Sequence, residues 1–229
     1  MNIQGFQKMT LLDFPGRVAC TVFTGGCNLR CPFCHNGGLV RTPMEHGNMT
    51  EVVFDYLSRR RGILDGVCLT GGEPLLQPDL KDFLLRLHEM GYLVKLDTNG
   101  ALPKRLSEVL GAGLVDYVAM DVKSSPAGYG TATGSDISPE VFAESMDLIR
   151  RSGIPYEFRT TAVKGIHEVN DFCEIGKWLR AEDSYFIQSF VDSGNLLGTD
   201  CAAFDEDEMQ AILGAVKPYL PKAKLRGQS

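Results

Sequence analysis

Three closely spaced cysteines are the residues of this sequence best suited to chemistry. Cys27, Cys31 and Cys34 lie within the eight residues CNLRCPFC. Thiolates this close together can hold one metal centre. A structural zinc ion would need a fourth protein ligand, which His35 or Cys20 could supply. A [4Fe-4S] cluster normally has four cysteine ligands, and with three it keeps one iron open to another ligand. The spacing alone leaves both metals open.

Three further segments carry charged side chains, and two of them also contain glycine. They are GGEP (residues 71–74), LDTNG (96–100) and MDVK (120–123). Their carboxylates suit a hard cation, and the Lys123 ammonium suits a carboxylate. Taken singly, such segments are also typical of ordinary turns. Their place in the fold must separate the two interpretations.

Alternating strand and helix patterns position these segments. The predicted strands are residues 17–23, 66–70, 92–97, 115–121, 156–163 and 185–190. The predicted helices are residues 50–60, 78–90, 103–110, 139–152, 170–180 and 205–216. This alternation predicts a parallel sheet, and about six βα units are too few for a closed eight-stranded barrel. We therefore expect an α/β fold, an open, partial parallel βα barrel.

The polar segments follow consecutive predicted strands. The cysteine loop follows the first strand, and GGEP, LDTNG and MDVK follow the second, third and fourth. Parallel sheets of this kind place active sites at the carboxyl ends of their strands, so we expect these segments at one rim. Arg159 on the fifth strand and Gln188 at the end of the sixth could face the same site. For Arg159 a surface salt bridge remains an alternative.

Composition limits the classes of partner. The chain has 229 residues, with 23 Lys+Arg against 29 Asp+Glu and a formal net charge of -6. This charge is unfavourable for binding phosphate backbones, so we expect no nucleic-acid partner. No apolar stretch reaches the length of a membrane span, and residues 1–10 lack an apolar signal core. We expect a cytoplasmic protein that does not bind membranes.

No repeat, low-complexity tract or linker divides the chain. We therefore expect one domain over residues 1–229, with a core at about 15–192 and a C-terminal helical extension at about 205–229. Four cysteines lie outside the cysteine loop, and free cysteine is among the most buried residue types. We expect buried, small apolar residues at Cys20, Cys68, Cys173 and Cys201.

The Cys-x3-Cys-x2-Cys spacing, followed by GGEP, resembles the radical S-adenosylmethionine (SAM) superfamily. In that family three cysteines hold a [4Fe-4S] cluster, and the amino and carboxylate groups of SAM chelate the fourth iron. The resemblance implies one cluster, with the ligands Cys27, Cys31 and Cys34. It also implies a seat for the methionyl amine made by Gly71, Gly72 and Glu73.

Two flanking segments, LDFPGR (12–17) and CHN (34–36), resemble the glycyl-radical activating enzymes. Over about residues 10–192 the chain looks most like the anaerobic ribonucleoside-triphosphate reductase activating proteins. This resemblance implies that a monovalent cation binds Asp97, Thr98 and Asp121, and that Lys123 contacts the SAM carboxylate. Further predicted SAM-binding residues are Phe33 and His35, near the adenine, together with Arg159 and Gln188.

The activity implied by this resemblance is that of an activase. The reduced cluster would cleave SAM to methionine and a 5'-deoxyadenosyl radical, which would remove an Hα from a backbone glycine of a partner enzyme. The implied partner is a glycyl-radical enzyme, first of all the anaerobic reductase, and the implied electron donor is of the flavodoxin or ferredoxin type. One alternative is a pyruvate formate-lyase-type activating enzyme. Others are a radical SAM enzyme for a small molecule, such as a deazapurine-forming synthase, and a zinc-stabilised binding module.

Overall fold

An eight-stranded sheet is the frame of the computed structural model, which describes residues 1–41 and 49–227. The strands lie side by side in chain order. Their bounds are β1 Ile3–Thr10, β2 Ala19–Thr24, β3 Gly66–Gly71, β4 Leu93–Thr98, β5 Tyr117–Asp121, β6 Tyr156–Ala162, β7 Tyr185–Ser189 and β8 Lys224–Arg226. All neighbours pair in parallel except β1 and β2, which are antiparallel. The outer strands β1 and β8 do not pair with each other in this order, so the predicted open, partial barrel is confirmed.

Helices connect the strands and bury apolar side chains at helical spacing. Their bounds are α1 Gly37–Arg41, α2 Thr50–Ser58, α3 Leu80–Glu89, α4 Pro103–Gly111, α5 Tyr129–Thr133, α6 Pro139–Arg151, α7 Val169–Trp178 and α8 Glu206–Val216. Helix α3 shows the pattern most clearly, because Leu80, Phe83, Leu84 and Leu87 are all buried. Each such side chain contributes about 2 kcal/mol when it leaves water. This apolar face holds α3 in place beside β4.

The two outer strands differ from the prediction. Strand β1 has three consecutive exposed residues, so it lacks the alternation that identifies a half-buried strand. Strand β8 has only three residues. The expected helical extension at 205–229 is therefore wrong in part, because α8 is followed by a strand that pairs with β7. Arg226 of β8 anchors this segment through two hydrogen bonds to the buried Glu157 carboxylate, at 2.6 and 2.8 Å.

The four cysteines outside the cysteine loop fall into two groups. Cys20 and Cys68 are fully buried, as expected. Cys173 and Cys201 are partly exposed, so the expectation is wrong for these two. Cys68 also lines the cavity described below, so unlike a core residue it has polar neighbours.

No helix within residues 1–41 and 49–227 combines the length and the apolar character needed to cross a membrane.

Candidate active site

A cavity of about 420 Å³ lies where the strands carry the predicted site segments. It contains residues from the loop after β2, the ends of β3, β4 and β5, and the inner face of β6 and β7. Every predicted site residue except Glu73 lines it. These residues are Cys27, Phe33, Cys31, Cys34, His35, Gly71, Gly72, Asp97, Thr98, Asp121, Lys123, Arg159 and Gln188. The expectation that consecutive strand ends bring these segments together is confirmed.

The cysteine loop is held in shape by hydrogen bonds to neighbouring segments. Leu29 N lies 3.4 Å from Cys27 Sγ, and Asn99 Nδ2 lies 3.7 Å from the same sulfur. Arg30 N donates to Thr133 O of α5 at 2.8 Å. The three cysteines of the loop are free thiols. The donors on Cys27 Sγ favour its charged form, an effect that burial outweighs.

The chemistry of the three thiols fits a bound metal cluster. Burial raises the pKa of the Cys31 thiol to about 12, and burial also raises the pKa of Cys27. Both thiols are therefore protonated without a metal, and a cationic centre would bind by displacing their protons. Within the described residues no three His, Cys, Asp or Glu side chains are arranged to hold a single metal ion.

A segment after β7 lies across the cysteine loop. We call residues 192–198 the strap. Leu197 N and Gly198 N both donate to Pro32 O, at 3.1 and 2.8 Å, and Ser193 Oγ donates to His35 O at 3.1 Å. A Cβ on Gly37 of α1 would lie only 2.1 Å from the backbone oxygen of Asn195. The strap therefore contacts the cysteine loop at distances that leave little free space.

The GGEP turn packs directly against the end of β2. Gly72 N donates to Thr24 O, and Glu73 N donates to Gly26 O, both at 2.8 Å. Gly71 has a φ of 114°, and a Cβ on it would lie 2.4 Å from Thr24 N. A Cβ on Gly72 would lie 2.0 Å from Gly26 O. Only glycine fits at both positions, and the turn is thereby fixed beside the cysteine loop.

Glu73 lies behind the cavity wall and supports the LDTNG turn. Its side chain is fully buried. The carboxylate accepts hydrogen bonds from Thr98 Oγ1 at 2.8 Å, from Asn99 N at 2.7 Å and from Leu75 N at 3.1 Å. Burial raises its pKa to about 7, against the opposing effect of these donors. A direct contact of Glu73 with the methionyl amine stays a prediction, and its position shows a role in holding Asn99 and Thr98.

Aspartates and basic side chains form ion pairs at the centre of the cavity. Arg159 donates to Asp121 Oδ1 at 2.9 Å and to Asp97 Oδ2 at 3.1 Å. Lys123 Nζ donates to Asp121 Oδ2 at 2.9 Å. Burial alone would raise the pKa of both carboxyls, but Arg159 and a neighbouring lysine hold each pKa below its usual range. Both carboxyls are ionised at neutral pH, and Arg159 faces inward rather than forming a surface salt bridge.

The aromatic residues beside the third cysteine are packed against other rings. Phe33 is buried, with its ring centroid 5.9 Å from that of His167. The His35 ring lies 5.6 Å from that of Phe190. Burial lowers the pKa of His35, and the positive charge of Lys123 lowers it further. His35 is therefore neutral at neutral pH, and it lines the cavity.

A comparison with protein-family models identifies the family of this chain. The family model described as the radical SAM superfamily matches residues 21–179. The chain belongs to the radical SAM superfamily. It is therefore an enzyme of the radical SAM type, as predicted, and its family implies a [4Fe-4S] cluster and SAM. A zinc-stabilised binding module without catalysis is not supported.

Three curated proteins are similar to this chain in sequence. This radical SAM chain is 32% identical over 199 residues to a protein of Methanocaldococcus jannaschii assigned as a glycyl-radical enzyme activating enzyme. The alignment covers 82% of this chain and 79% of that protein. It is 31% identical over 198 residues to the 7-carboxy-7-deazaguanine synthase of Methanopyrus kandleri, covering 74% of each. It is 36% identical over 142 residues to the pyruvate formate-lyase-activating enzyme of Clostridium pasteurianum, covering 58% of this chain and 57% of that enzyme.

Solved structures support the fold. SuiB of Streptococcus suis matches with a TM-score of 0.69 at 15% identity, over 89% of this chain and 47% of that chain. An archaeal TYW1 structure matches with a TM-score of 0.59 at 14% identity, over 88% of this chain and 72% of that chain. At these identities the likeness concerns the architecture of the radical SAM sheet alone.

Sequence reasoning missed several residues of this radical SAM site. Asn36 Nδ2 donates to Gly71 O at 3.1 Å, so it joins the cysteine loop to the GGEP turn. Asn99 Nδ2 donates to Asn28 Oδ1 at 2.9 Å, which joins LDTNG to the cysteine loop. Lys95 is buried beside Asp97. Asn36 and Asn99 lie in the segments CHN and LDTNG, which the sequence singles out without indicating these contacts. Lys95 had a signal of its own, because residues two apart on a strand share one face.

Proposed function

We propose that this radical SAM enzyme is a glycyl-radical activase whose partner is an anaerobic ribonucleoside-triphosphate reductase. The observation that carries the proposal is the Methanocaldococcus jannaschii relative, which is 32% identical over 82% of this chain. The segments LDFPGR and CHN support the same class, since they resemble activases in particular. The partner reductase rests on the resemblance of the whole motif set.

In this proposal each part of the cavity wall has its own task. Cys27, Cys31 and Cys34 would hold the cluster, which when bound would supply the electron for reductive cleavage of SAM. Backbone atoms at Gly71 and Gly72 seat the methionyl amine beside it. These five residues line one cavity, so the cluster and the amine seat would face the same space.

The other end of SAM meets charged and aromatic side chains. Lys123 binds the SAM carboxylate, because an ammonium donates strongly to a carboxylate. Phe33 and His35 flank the adenine, while Arg159 and Gln188 complete the wall. The open sheet leaves access for a flexible loop of a protein substrate. A flavodoxin- or ferredoxin-type protein delivers the electron.

The test is activation of the partner. The reconstituted enzyme, SAM and a reductant are mixed anaerobically with an anaerobic ribonucleoside-triphosphate reductase, and the glycyl radical is measured by EPR spectroscopy. We expect a radical signal whose amount matches the 5'-deoxyadenosine formed. Deuterium at the reductase glycine Hα should appear in that 5'-deoxyadenosine. A reductase with alanine in place of this glycine is the matched control.

A result that would overturn the proposal is SAM cleavage without radical or label transfer from any glycyl-radical enzyme tested, including pyruvate formate-lyase. Activation of pyruvate formate-lyase alone would retain the activase and change the partner. Replacing the chemical reductant with reduced flavodoxin or ferredoxin tests the proposed donor in the same assay.

A deazapurine-forming synthase is the second candidate. It is favoured by the Methanopyrus kandleri relative, which is 31% identical over 74% of this chain. The enzyme would then take hydrogen from a small molecule. Incubation with the substrate of that synthase, followed by mass spectrometry for 7-carboxy-7-deazaguanine, separates this candidate from the activase.

A further inference from the structure

A buried lysine lies at the centre of the molecule, behind the cavity wall. Lys95 of β4 is only 1% exposed. Its Nζ donates to Asp97 Oδ1 and lies 3.8 Å from Cys68 Sγ. An ammonium buried without a counter-charge would strongly destabilise the folded protein, and the Asp97 carboxylate provides this counter-charge. One oxygen of Asp97 is therefore committed to Lys95.

The strand register explains this contact. Lys95 lies opposite Cys68 of β3, and Asp97 lies two residues further along β4 on the same face. Asp121 of β5 lies opposite Arg159 of β6. The inner face of three neighbouring strands thus carries basic and acidic side chains in contact. We call Lys95, Asp97, Arg159, Asp121 and Lys123 the charge ladder.

Every carboxylate oxygen in the charge ladder has a cationic protein partner. Lys95 pairs with Oδ1 of Asp97, and Arg159 pairs with its Oδ2 at 3.1 Å. Arg159 pairs with Oδ1 of Asp121 at 2.9 Å, and Lys123 pairs with its Oδ2 at 2.9 Å. Within the ladder three cationic side chains face two carboxylates, and a third carboxylate, that of Asp13, lines the same cavity.

The predicted monovalent cation does not fit these residues. Its expected ligands were Asp97, Thr98 and Asp121, and both carboxylates are already neutralised. The Thr98 hydroxyl donates to Glu73 Oε1 at 2.8 Å and accepts from Gly100 N at 3.1 Å, so it too is occupied. A further cation would have to displace Lys95, Arg159 or Lys123 from a carboxylate oxygen of the ladder.

We propose that Lys95 takes the place of the monovalent cation, so that this chain binds SAM without sodium or potassium. The proposal rests on SAM as the family's cofactor and not on the identity of the substrate. Lys95 is a positioning residue, because it acts through Asp97. Its ammonium holds Asp97 toward Arg159, and Arg159 and Lys123 both line the cavity. There these two cationic side chains favour the carboxylate of SAM.

The first test uses the wild-type holoenzyme. SAM affinity of the anaerobically reconstituted protein is measured by equilibrium dialysis in tetramethylammonium, sodium or potassium chloride at one ionic strength. We expect the three dissociation constants to agree within about twofold, a difference of about 0.4 kcal/mol. Binding that is about tenfold tighter in sodium or potassium would overturn the proposal.

The second test removes the ammonium. Lys95→Met keeps the length of the apolar stem, and we expect SAM affinity in tetramethylammonium to fall by about tenfold or more. Potassium or ammonium ions should restore most of this loss, since a small cation can then approach Asp97 from the cavity. Lys81→Met is the matched control, because Lys81 is exposed on α3 and its loss should create no cation dependence.

A merely structural role for Lys95 gives a different result. It would lower SAM affinity equally in every salt, with no recovery by potassium, and this outcome would contradict the proposal. The unfolding temperature of Lys95→Met, measured in the same salts, gives a readout independent of SAM: potassium should raise it and tetramethylammonium should not. Should the variant fail to fold, the wild-type comparison alone decides.

Discussion

Two adjacent glycines in α1 should respond oppositely to the same substitution. A Cβ on Gly37 would lie 2.1 Å from the Asn195 oxygen, whereas a Cβ on Gly38 would meet nothing within 4 Å. To relieve the contact, the strap must retreat by roughly 1 Å, since carbon and oxygen need about 3 Å or more between them. Gly37→Ala therefore tests whether the strap is fixed against the cysteine loop, and Gly38→Ala is its control.

The magnitude follows from the contacts that a retreating strap would lose. A shift of this size stretches the hydrogen bonds from Leu197 N and Gly198 N to Pro32 O beyond bonding distance from their present 3.1 and 2.8 Å. Each contributes about 1 kcal/mol. Alanine recovers about 0.5–1 kcal/mol in a helix relative to glycine. We expect Gly37→Ala to lower the free energy of unfolding by about 1–2 kcal/mol, and Gly38→Ala to leave it unchanged or raise it slightly.

Denaturant unfolding of the anaerobic holoenzyme measures this difference, together with bound iron and the change of the cluster EPR signal on adding SAM. Gly37→Ala should also weaken the SAM-dependent change, because the displaced strap no longer supports Pro32 between two cysteines. Equal stability and equal spectra for the two variants would show that the strap yields without cost, and would refute the reasoning.

Three further outcomes follow from the described contacts. Cys31→Ala should lose cluster iron and SAM cleavage while keeping its circular dichroism spectrum, and normal cleavage would remove Cys31 from the ligand set. Because burial raises the pKa of Glu73 from 4.5 to about 7, the folded protein binds a proton that the unfolded chain releases between these values. Its stability contribution should therefore fall by about 3 kcal/mol as the pH rises from 4.5 to 7. Glu73→Gln should lack this dependence, so identical pH profiles of unfolding would contradict the assignment. Asp183→Asn should cost about 3 kcal/mol or more without changing SAM affinity, because the buried carboxylate binds Arg150 Nη2 at 2.6 Å and the Tyr156 hydroxyl at 2.7 Å; a stable variant would show that this pair is dispensable.

The central strands were predictable because both faces of each are covered. Residues 66–69 and 185–187 are apolar, and the observed β3 and β7 differ from the predicted bounds by one residue. Strand β1 was not predicted because three consecutive residues of it are exposed, so buried and exposed residues do not alternate. Strand β8 was not predicted because three residues are too few to show an alternation. Both are outer strands, whose pairing depends on a neighbour rather than on their own pattern.

The rim of the site was predictable for a different reason. Parallel strands order their carboxyl ends, so segments such as 96–100 and 120–123 had to meet once the strands were assigned. The strand assignment did not predict in which direction individual side chains point. Glu73 turns away from the cavity because Thr98 Oγ1 and Asn99 N of the LDTNG turn donate to its carboxylate, as does Leu75 N. Lys95 remained unnoticed because a lysine inside a strand is normally solvated.

The close approach of the GGEP turn to β2 limits what mutational tolerance can reveal. Since a Cβ at Gly71 or Gly72 would collide with backbone atoms of Thr24 or Gly26, a saturation library should reject almost every replacement at both positions. This rejection would occur even in a selection that scores only folding, with no requirement for cofactor. Intolerance at these glycines therefore measures the shape of the scaffold. Lys123 and Gln188 differ from these glycines because their side chains line the cavity. The replacements tolerated at these two positions will therefore report on ligand recognition.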